Sequence, residues 1–126
     1  MNRKRILVVD DANTVRLFCR DVLERAGFVV EDAGNGIEGL ERALAGRFDL
    51  LLVDINMPQM DGYEMVRRLR EDPGLYAVPV VTISTEAEDA DIVRAYRAGA
   101  NFYMVKPVRA VQLTRTAQLL TGQRPS

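Results

Sequence analysis

The chain has 126 residues, 48% apolar and 28% charged, with a formal net charge of −1. That is enough for one domain with a real core, soluble and globular, and no charge excess points to nucleic acid or a membrane surface. The single cysteine, Cys19, excludes a disulfide framework or zinc cluster within the chain, and the lack of histidine removes the commonest general base and metal ligand.

The start, Met1-Asn2-Arg3-Lys4-Arg5, is basic, but only four apolar residues follow before Asp10. That is too short for a secretory signal, and no segment could span a membrane, so a cytoplasmic location is expected. Ile6–Val9 is the first strand candidate. Asn13 to Ala26 carries Val15, Phe18, Cys19, Val22, Leu23 and Ala26 at the spacing of one helix face, and Gly27 is placed to end it. Phe28–Glu31 is a short second strand. Gly36-Ile37-Glu38 opens a helix with Ile37, Leu40, Ala43 and Leu44 on one side, stopping near Gly46. Leu50–Val53 is continuously apolar, as expected of a strand buried on both faces. Gly62 to Arg70 is a helix with Met65, Val66 and Leu69 inward, broken by Asp72-Pro73-Gly74. Val78–Ile83 is the fourth strand, with Pro79 tolerated near its start. Ala87 to Ala98 is helical, with Ile92, Ala95 and Tyr96 periodic and Gly99 as the stop. Phe102–Val105 is the fifth strand, punctuated by Lys106-Pro107, and Arg109 to Leu120 is the last helix, with Leu113, Ala117 and Leu120 inward. A single domain over residues 1–126 is expected, with its core at about 5–120 and a polar tail over 121–126.

Five strands alternating with five helices predict an α/β fold: a doubly wound parallel sheet with helices on both faces. Right-handed crossovers make 2-1-3-4-5 a natural strand order. Ligands of such sheets bind beyond the strand C-termini where the order reverses, here between the first and third strands. Asp10-Asp11 and Asp54 fall there, each ending an apolar run. Three carboxylates at one edge repel one another and call for a divalent cation or a proton.

Ser84 after the fourth strand, Lys106 after the fifth and Asn56 beside Asp54 join the same edge. Oxygen ligands without nitrogen or sulfur suit Mg²⁺. Lysine supplies a point charge for a phosphoryl oxygen, serine a hydroxyl donor, and a carboxylate can act as nucleophile toward phosphorus. The set fits phosphoryl transfer.

In these stretches the sequence resembles the receiver domains of two-component response regulators, in particular the stand-alone chemotaxis type with a flavodoxin-like fold. The matching segments are Ile6-Leu7-Val8-Val9-Asp10-Asp11, Leu52-Val53-Asp54-Ile55-Asn56-Met57-Pro58-Gln59-Met60-Asp61-Gly62, Pro79-Val80-Val81-Thr82-Ile83-Ser84-Thr85-Glu86-Ala87, and Ala98-Gly99-Ala100 through Tyr103 to Lys106-Pro107. Together, in this order, they are highly specific where each alone is weak. The resemblance implies that Asp54 accepts a phosphoryl group from a histidine kinase or a histidine phosphotransfer protein. It implies Mg²⁺, with Mn²⁺ able to substitute, held by Asp11 directly, Asp10 mostly through water, Asp54 and the backbone carbonyl of Asn56. Lys106 would pair with the phosphoryl group, Ser84 would swing inward to hydrogen-bond it, and Tyr103 would follow from an outward to an inward rotamer. The Lys106-Pro107 bond would be cis.

Asn56 and Glu86 stand where the family tunes dephosphorylation, and the pairing looks like the chemotaxis type with a short-lived aspartyl phosphate. Thr85, where the family commonly has a smaller residue, is a departure that could narrow access to the phosphoryl site. A stand-alone receiver is expected, without a DNA-binding, cyclase or methylesterase domain after the last helix. The implied function is therefore a signalling module rather than an enzyme, with self-phosphorylation and autodephosphorylation that depend on Mg²⁺. It would be a monomer that meets a protein target through the face of the fourth helix, fifth strand and fifth helix, including Arg94, Arg97, Tyr103, Arg109 and Arg115, with no nucleic-acid or membrane partner. Within that class a phosphate sink, a phosphorelay shuttle and a kinase-regulating adaptor stay open beside the chemotaxis role.

Three rivals are weaker. An aspartyl-nucleophile phosphatase of the haloacid dehalogenase kind wants a second Asp where Asn56 stands, and a cap. A flavodoxin wants a Ser/Thr/Gly-rich first loop, whereas Asp10-Asp11-Ala12-Asn13 would repel a phosphate. A pseudo-receiver would lack site residues that are all present here.

Overall fold

A strand apolar on both faces is stable only between two layers of helix, and the apolar runs of this chain assemble that way. The computed structural model describes residues 3–124. Met1, Asn2 and the last two residues of the expected tail lie outside the described residues. In chain order the elements are β1 (Arg5–Val9), α1 (Asn13–Arg25), β2 (Val29–Ala33), α2 (Gly36–Ala45), β3 (Leu50–Asp54), α3 (Gly62–Glu71), β4 (Val80–Ser84), α4 (Asp89–Ala98), β5 (Phe102–Val105) and α5 (Ala110–Thr121). The strands are parallel in the order β2-β1-β3-β4-β5, the predicted topology. No helix among the described residues is long and apolar enough to cross a membrane.

Alternate strand residues feed two cores. Leu7, Val9, Leu51, Val53 and Val80 pack with Ala43 of α2, Met65, Val66 and Leu69 of α3 and Ala95 of α4. Ile6, Val8, Leu50, Leu52, Val81 and Met104 pack with Cys19 and Leu23 of α1 and Leu113 and Ala117 of α5. Register then brings the strand ends together. Val9 stands opposite Val53, Asp54 opposite Ile83, and Ser84 opposite Val105. The residues that close or follow these strands (Asp10, Asp54, Ser84, Lys106) consequently share one edge.

Four helical residues expected to point inward do not. Phe18, Ile37, Leu44 and Tyr96 are all exposed. In α2 the buried line is Gly36, Gly39 and Ala43, and a Cβ at Gly39 would stand 2.8 Å from both Val9 methyls. The helix is pressed onto β1 along its glycines, so at about 100° per residue Ile37 and Leu44 fall roughly a quarter-turn aside. In α4 the buried residues are Ala95 and Ala98, which leaves Tyr96 about 100° off that line. In α1 Cys19 and Leu23 take the buried position and Phe18 lies at its rim. Strand bounds shift too. β2 begins after the buried Phe28 and runs on through Glu31 and Asp32 to Ala33, polar residues that conceal it in the sequence. β4 starts only after Pro79, which has no N–H to give the ladder, although its carbonyl accepts from Leu51 N–H at 2.9 Å.

Candidate functional site

Asp54 is the last residue of β3 and Asp10 the first after β1, and both are almost wholly buried, at 2% and 1% exposure. Asp11 is exposed beside them. One carboxylate oxygen from each of the three lies within 4.8 Å of the others. Lys106 Nζ reaches between the two buried acids, 3.1 Å from Asp10 Oδ2 and 3.1 Å from Asp54 Oδ1. It donates a hydrogen bond to Asp10. The same ammonium is the one charged group against Asp54 Oδ1, a buried oxygen with no other donor near it among the described residues.

The electrostatics follow from this crowding. Burial, then the Asp10 charge and more weakly Asp11, push the Asp54 carboxyl up from 3.8 to about 6, against the pull of Lys106. For Lys106, burial acts to lower its pKa, but its contacts with Asp10 and Asp54 outweigh it and hold the ammonium above the usual lysine value. One cation thus serves two buried anions with a third nearby. The oxygen-only donor set, with three carboxylates converging on a single ammonium, fits a hard divalent cation, with Asp10, Asp11 and Asp54 as the side chains able to hold it.

Around this centre, Ser84 is fully buried and its Oγ accepts from Glu86 N–H at 3.0 Å and from Asn56 Nδ2 at 3.3 Å. Asn56 and Glu86 are otherwise exposed. Tyr103 is buried, at 8% exposure, rather than turned outward as the resemblance implies before phosphorylation, and its hydroxyl donates to the Glu86 carbonyl at 2.8 Å. Thr85 stands with Lys106, Pro107 and Val108 of the β5–α5 connection and Thr14, Val15 and Phe18 of α1 around an apolar cavity of about 470 Å³. The Lys106–Pro107 peptide is cis.

Gly62 opens α3 directly behind Asp54. Asp61 caps that helix by accepting from Glu64 N–H at 2.9 Å. A Cβ at Gly62 would stand 2.6 Å from the Asp54 carbonyl oxygen and 2.7 Å from Ile55 Cα. Both are backbone atoms that cannot rotate away. Gly62→Ala is therefore expected to cost about 1–3 kcal/mol in urea unfolding. An unchanged midpoint with unchanged slope would show that the β3–α3 connection yields freely.

Of the arginines expected on one face, Arg97, Arg109 and Arg115 are exposed. Arg94 is exposed as well, and its guanidinium stacks over the Tyr63 ring, 4.0 Å from the centroid. Tyr63 is buried, which raises its pKa, and its hydroxyl donates to the Asp91 carbonyl at 3.3 Å, tying α3 to the first turn of α4. This clamp escapes sequence reasoning, because an aromatic at the second residue of a helix reads as ordinary core. The exposed large apolar residues on α4, β5 and α5 are Val93, Tyr96, Phe102, Val105, Val111 and Leu119, and the periodic pattern does not single them out as exposed.

The family description "Response regulator receiver domain" matches residues 6–118. The chain belongs to that family. Among curated relatives, this receiver is 38% identical over 106 residues to the transcriptional regulatory protein ResD of Bacillus subtilis, covering 84% of this chain but only 43% of ResD. It is 34% identical over 120 residues to the chemotaxis protein CheY1 of Helicobacter pylori, covering 94% of this chain and 97% of that one. The crystal structure of Vibrio cholerae chemotaxis protein CheY4 is similar at a TM-score of 0.90 and 32% identity, over 94% of this chain and 99% of that one. The receiver domain of the sensor histidine kinase PA1611 of Pseudomonas aeruginosa, described with a magnesium ion coordinated in its active site cleft, is similar at 0.89 and 28% identity, over 97% of this chain and 100% of that one.

Proposed function

We propose that this receiver is switched by phosphorylation of Asp54, with a histidine kinase or histidine phosphotransfer protein as donor and a protein target downstream. The observation that carries this reading is the buried Asp54 beside the Lys106 ammonium, with carboxylate oxygens of Asp10 and Asp11 within 4.8 Å of its own. In the step, an Asp54 carboxylate oxygen bonds to phosphorus as the bond from phosphorus to the donor's imidazole nitrogen breaks. The electron pair departs with the imidazole, which takes up a proton from solvent. Mg²⁺, or Mn²⁺ in its place, would be held by Asp10 through water, by Asp11 and Asp54, and by the Asn56 backbone carbonyl, and would supply positive charge against the carboxylates and the phosphoryl oxygens. Lys106 neutralises a phosphoryl oxygen from the other side, and burial keeps bulk water from the acyl phosphate. Asn56 and Glu86, at the mouth, govern the water that later hydrolyses it.

The switch runs through Glu86. Its N–H donates to Ser84 and its carbonyl accepts from Tyr103. The Ser84 hydroxyl that would donate to a phosphoryl oxygen also accepts from Glu86 N–H, so its movement would be felt by the segment whose carbonyl holds the Tyr103 hydroxyl. Phosphorylation then shifts the population of a two-state element and changes the α4-β5-α5 face, and a partner on that face must reciprocally favour the phosphorylated site. The CheY-type relatives favour a chemotaxis-like target. The test is intact mass after brief incubation with acetyl phosphate and MgCl₂. One added phosphoryl group is expected, absent with EDTA and strongly reduced in Asp11→Ala. No adduct under a rapid quench would overturn the reading.

A further inference from the structure

The carbonyl of Asp10 has a partner with no part in the chemistry above. Arg16, in the second turn of α1, donates from Nη1 to that carbonyl at 2.5 Å. Its Nε faces Asp32 Oδ2 at the end of β2 at 3.3 Å, and its Nη2 donates to Asn13 Oδ1 at 3.2 Å. Asp32 is held in turn by Arg20 at 3.6 Å. The guanidinium fork is half-buried and joins β2, α1 and the end of β1. The carbonyl it grips belongs to the peptide that links Asp10 to Asp11.

That peptide matters because of what Asp11 lacks. Every polar atom of Asp10 is engaged: N–H with the Ala33 carbonyl, Oδ1 with Ala12 N–H, Oδ2 with Lys106, and the carbonyl with Arg16. The Asp11 carboxylate is exposed and makes no hydrogen bond or ion pair among the described residues. No contact holds its side chain, so the backbone fixes only where the side chain starts, and one side of that backbone is held by Arg16. We propose that Arg16 is a positioning residue for the metal site, holding the Asp10–Asp11 peptide so that the Asp11 carboxylate converges with Asp10 and Asp54. The inference rests on the Mg²⁺ reading above.

A positioning role and a bare charge effect differ in sign. A cation near a Mg²⁺ site repels the ion, so on charge alone Arg16→Met tightens Mg²⁺ binding. Loss of positioning weakens it. Arg16→Lys keeps the charge and one donor but not the fork, so it cannot hold Asp32 and the Asp10 carbonyl in the same way. The experiment titrates MgCl₂ into wild type, Arg16→Lys and Arg16→Met and follows backbone amide NMR shifts, with thermal unfolding in EDTA to show that each variant is folded. The expected Mg²⁺ Kd rises in the order wild type, Lys, Met, by about tenfold or more at Met, as outer partners of metal ligands typically give. Binding by Arg16→Met as tight as wild type or tighter would overturn the proposal. So would Arg16→Lys indistinguishable from wild type, a comparison that stands even if Arg16→Met fails to fold. Absence of Mg²⁺ binding by the wild-type chain would overturn the metal reading itself, and the role of Arg16 with it.

Discussion

Asp54→Asn is expected to abolish phosphoryl uptake and, in metal-free buffer near pH 8, to make the protein more stable by about 2–3 kcal/mol. The loss follows because an amide cannot act as the nucleophile. The gain follows from the environment of the acid. Burial and Asp10 raise the folded-state Asp54 pKa to about 6 from an ordinary 3.8. An acid whose pKa is raised on folding binds its proton more tightly when folded. Its contribution is therefore fully present below about pH 4 and is lost as pH rises through about 6. The neutral, isosteric amide never incurs that loss. Paired urea unfolding curves should thus nearly coincide near pH 4, separate as pH rises from about 4 to 6, and stay a constant interval apart above that. A variant that is less stable than wild type at pH 8 would mean that the Lys106 contact outweighs burial and that the site is satisfied without a metal. Phosphorylation of the variant would move the acceptor elsewhere.

That a functional residue should cost stability explains why so much of the site was legible in the sequence. A charge that closes an apolar run, such as Asp10 after Ile6–Val9 or Asp54 after Leu50–Val53, contradicts the burial implied by its neighbours. The parallel-sheet pattern then determines where such contradictions meet, and register places Lys106 and Ser84 with them. Less legible were features carried by residues without a periodic signature. The inward face of α2 is built on Gly36 and Gly39, which score as nothing in an apolar pattern, so Ile37 and Leu44 were expected inside when they are outside. Arg16 and Asp32 are two among many charged residues until the fold joins α1 to β2. Arg94 is equally plausible as a free surface cation, and only the approach of α3 to α4 places it over Tyr63. What sequence conceals here is pairing between elements that are distant along the chain.

Lys106→Ala carries the largest expected loss of stability, about 3–5 kcal/mol in EDTA, because it leaves two buried carboxylates with no countercharge. Asp10 and Asp54 are 1% and 2% exposed, and Lys106 Nζ is the cation within 3.1 Å of both. If that repulsion is the cause, removing one of the two charges should relieve it. Lys106→Ala should therefore cost much less in an Asp54→Asn background, and the double-mutant cycle should show strong coupling. Additive effects would mean that Lys106 stabilises by packing its stem rather than by its charge. Mg²⁺ should also rescue the single variant, since a ligand bound only by the folded state stabilises by about 2.7 kcal/mol at a hundred times its Kd. Rescue of stability is separable from signalling. A divalent cation held by Asp10, Asp11 and Asp54 would offset the carboxylates, but it would not replace the ammonium as partner of the phosphoryl group. Phosphorylated Lys106→Ala is therefore expected to bind Mg²⁺ and yet show no phosphorylation-dependent change at Tyr103, read from the Tyr103 ring resonances. A wild-type response of Tyr103 would show that the switch is thrown without Lys106.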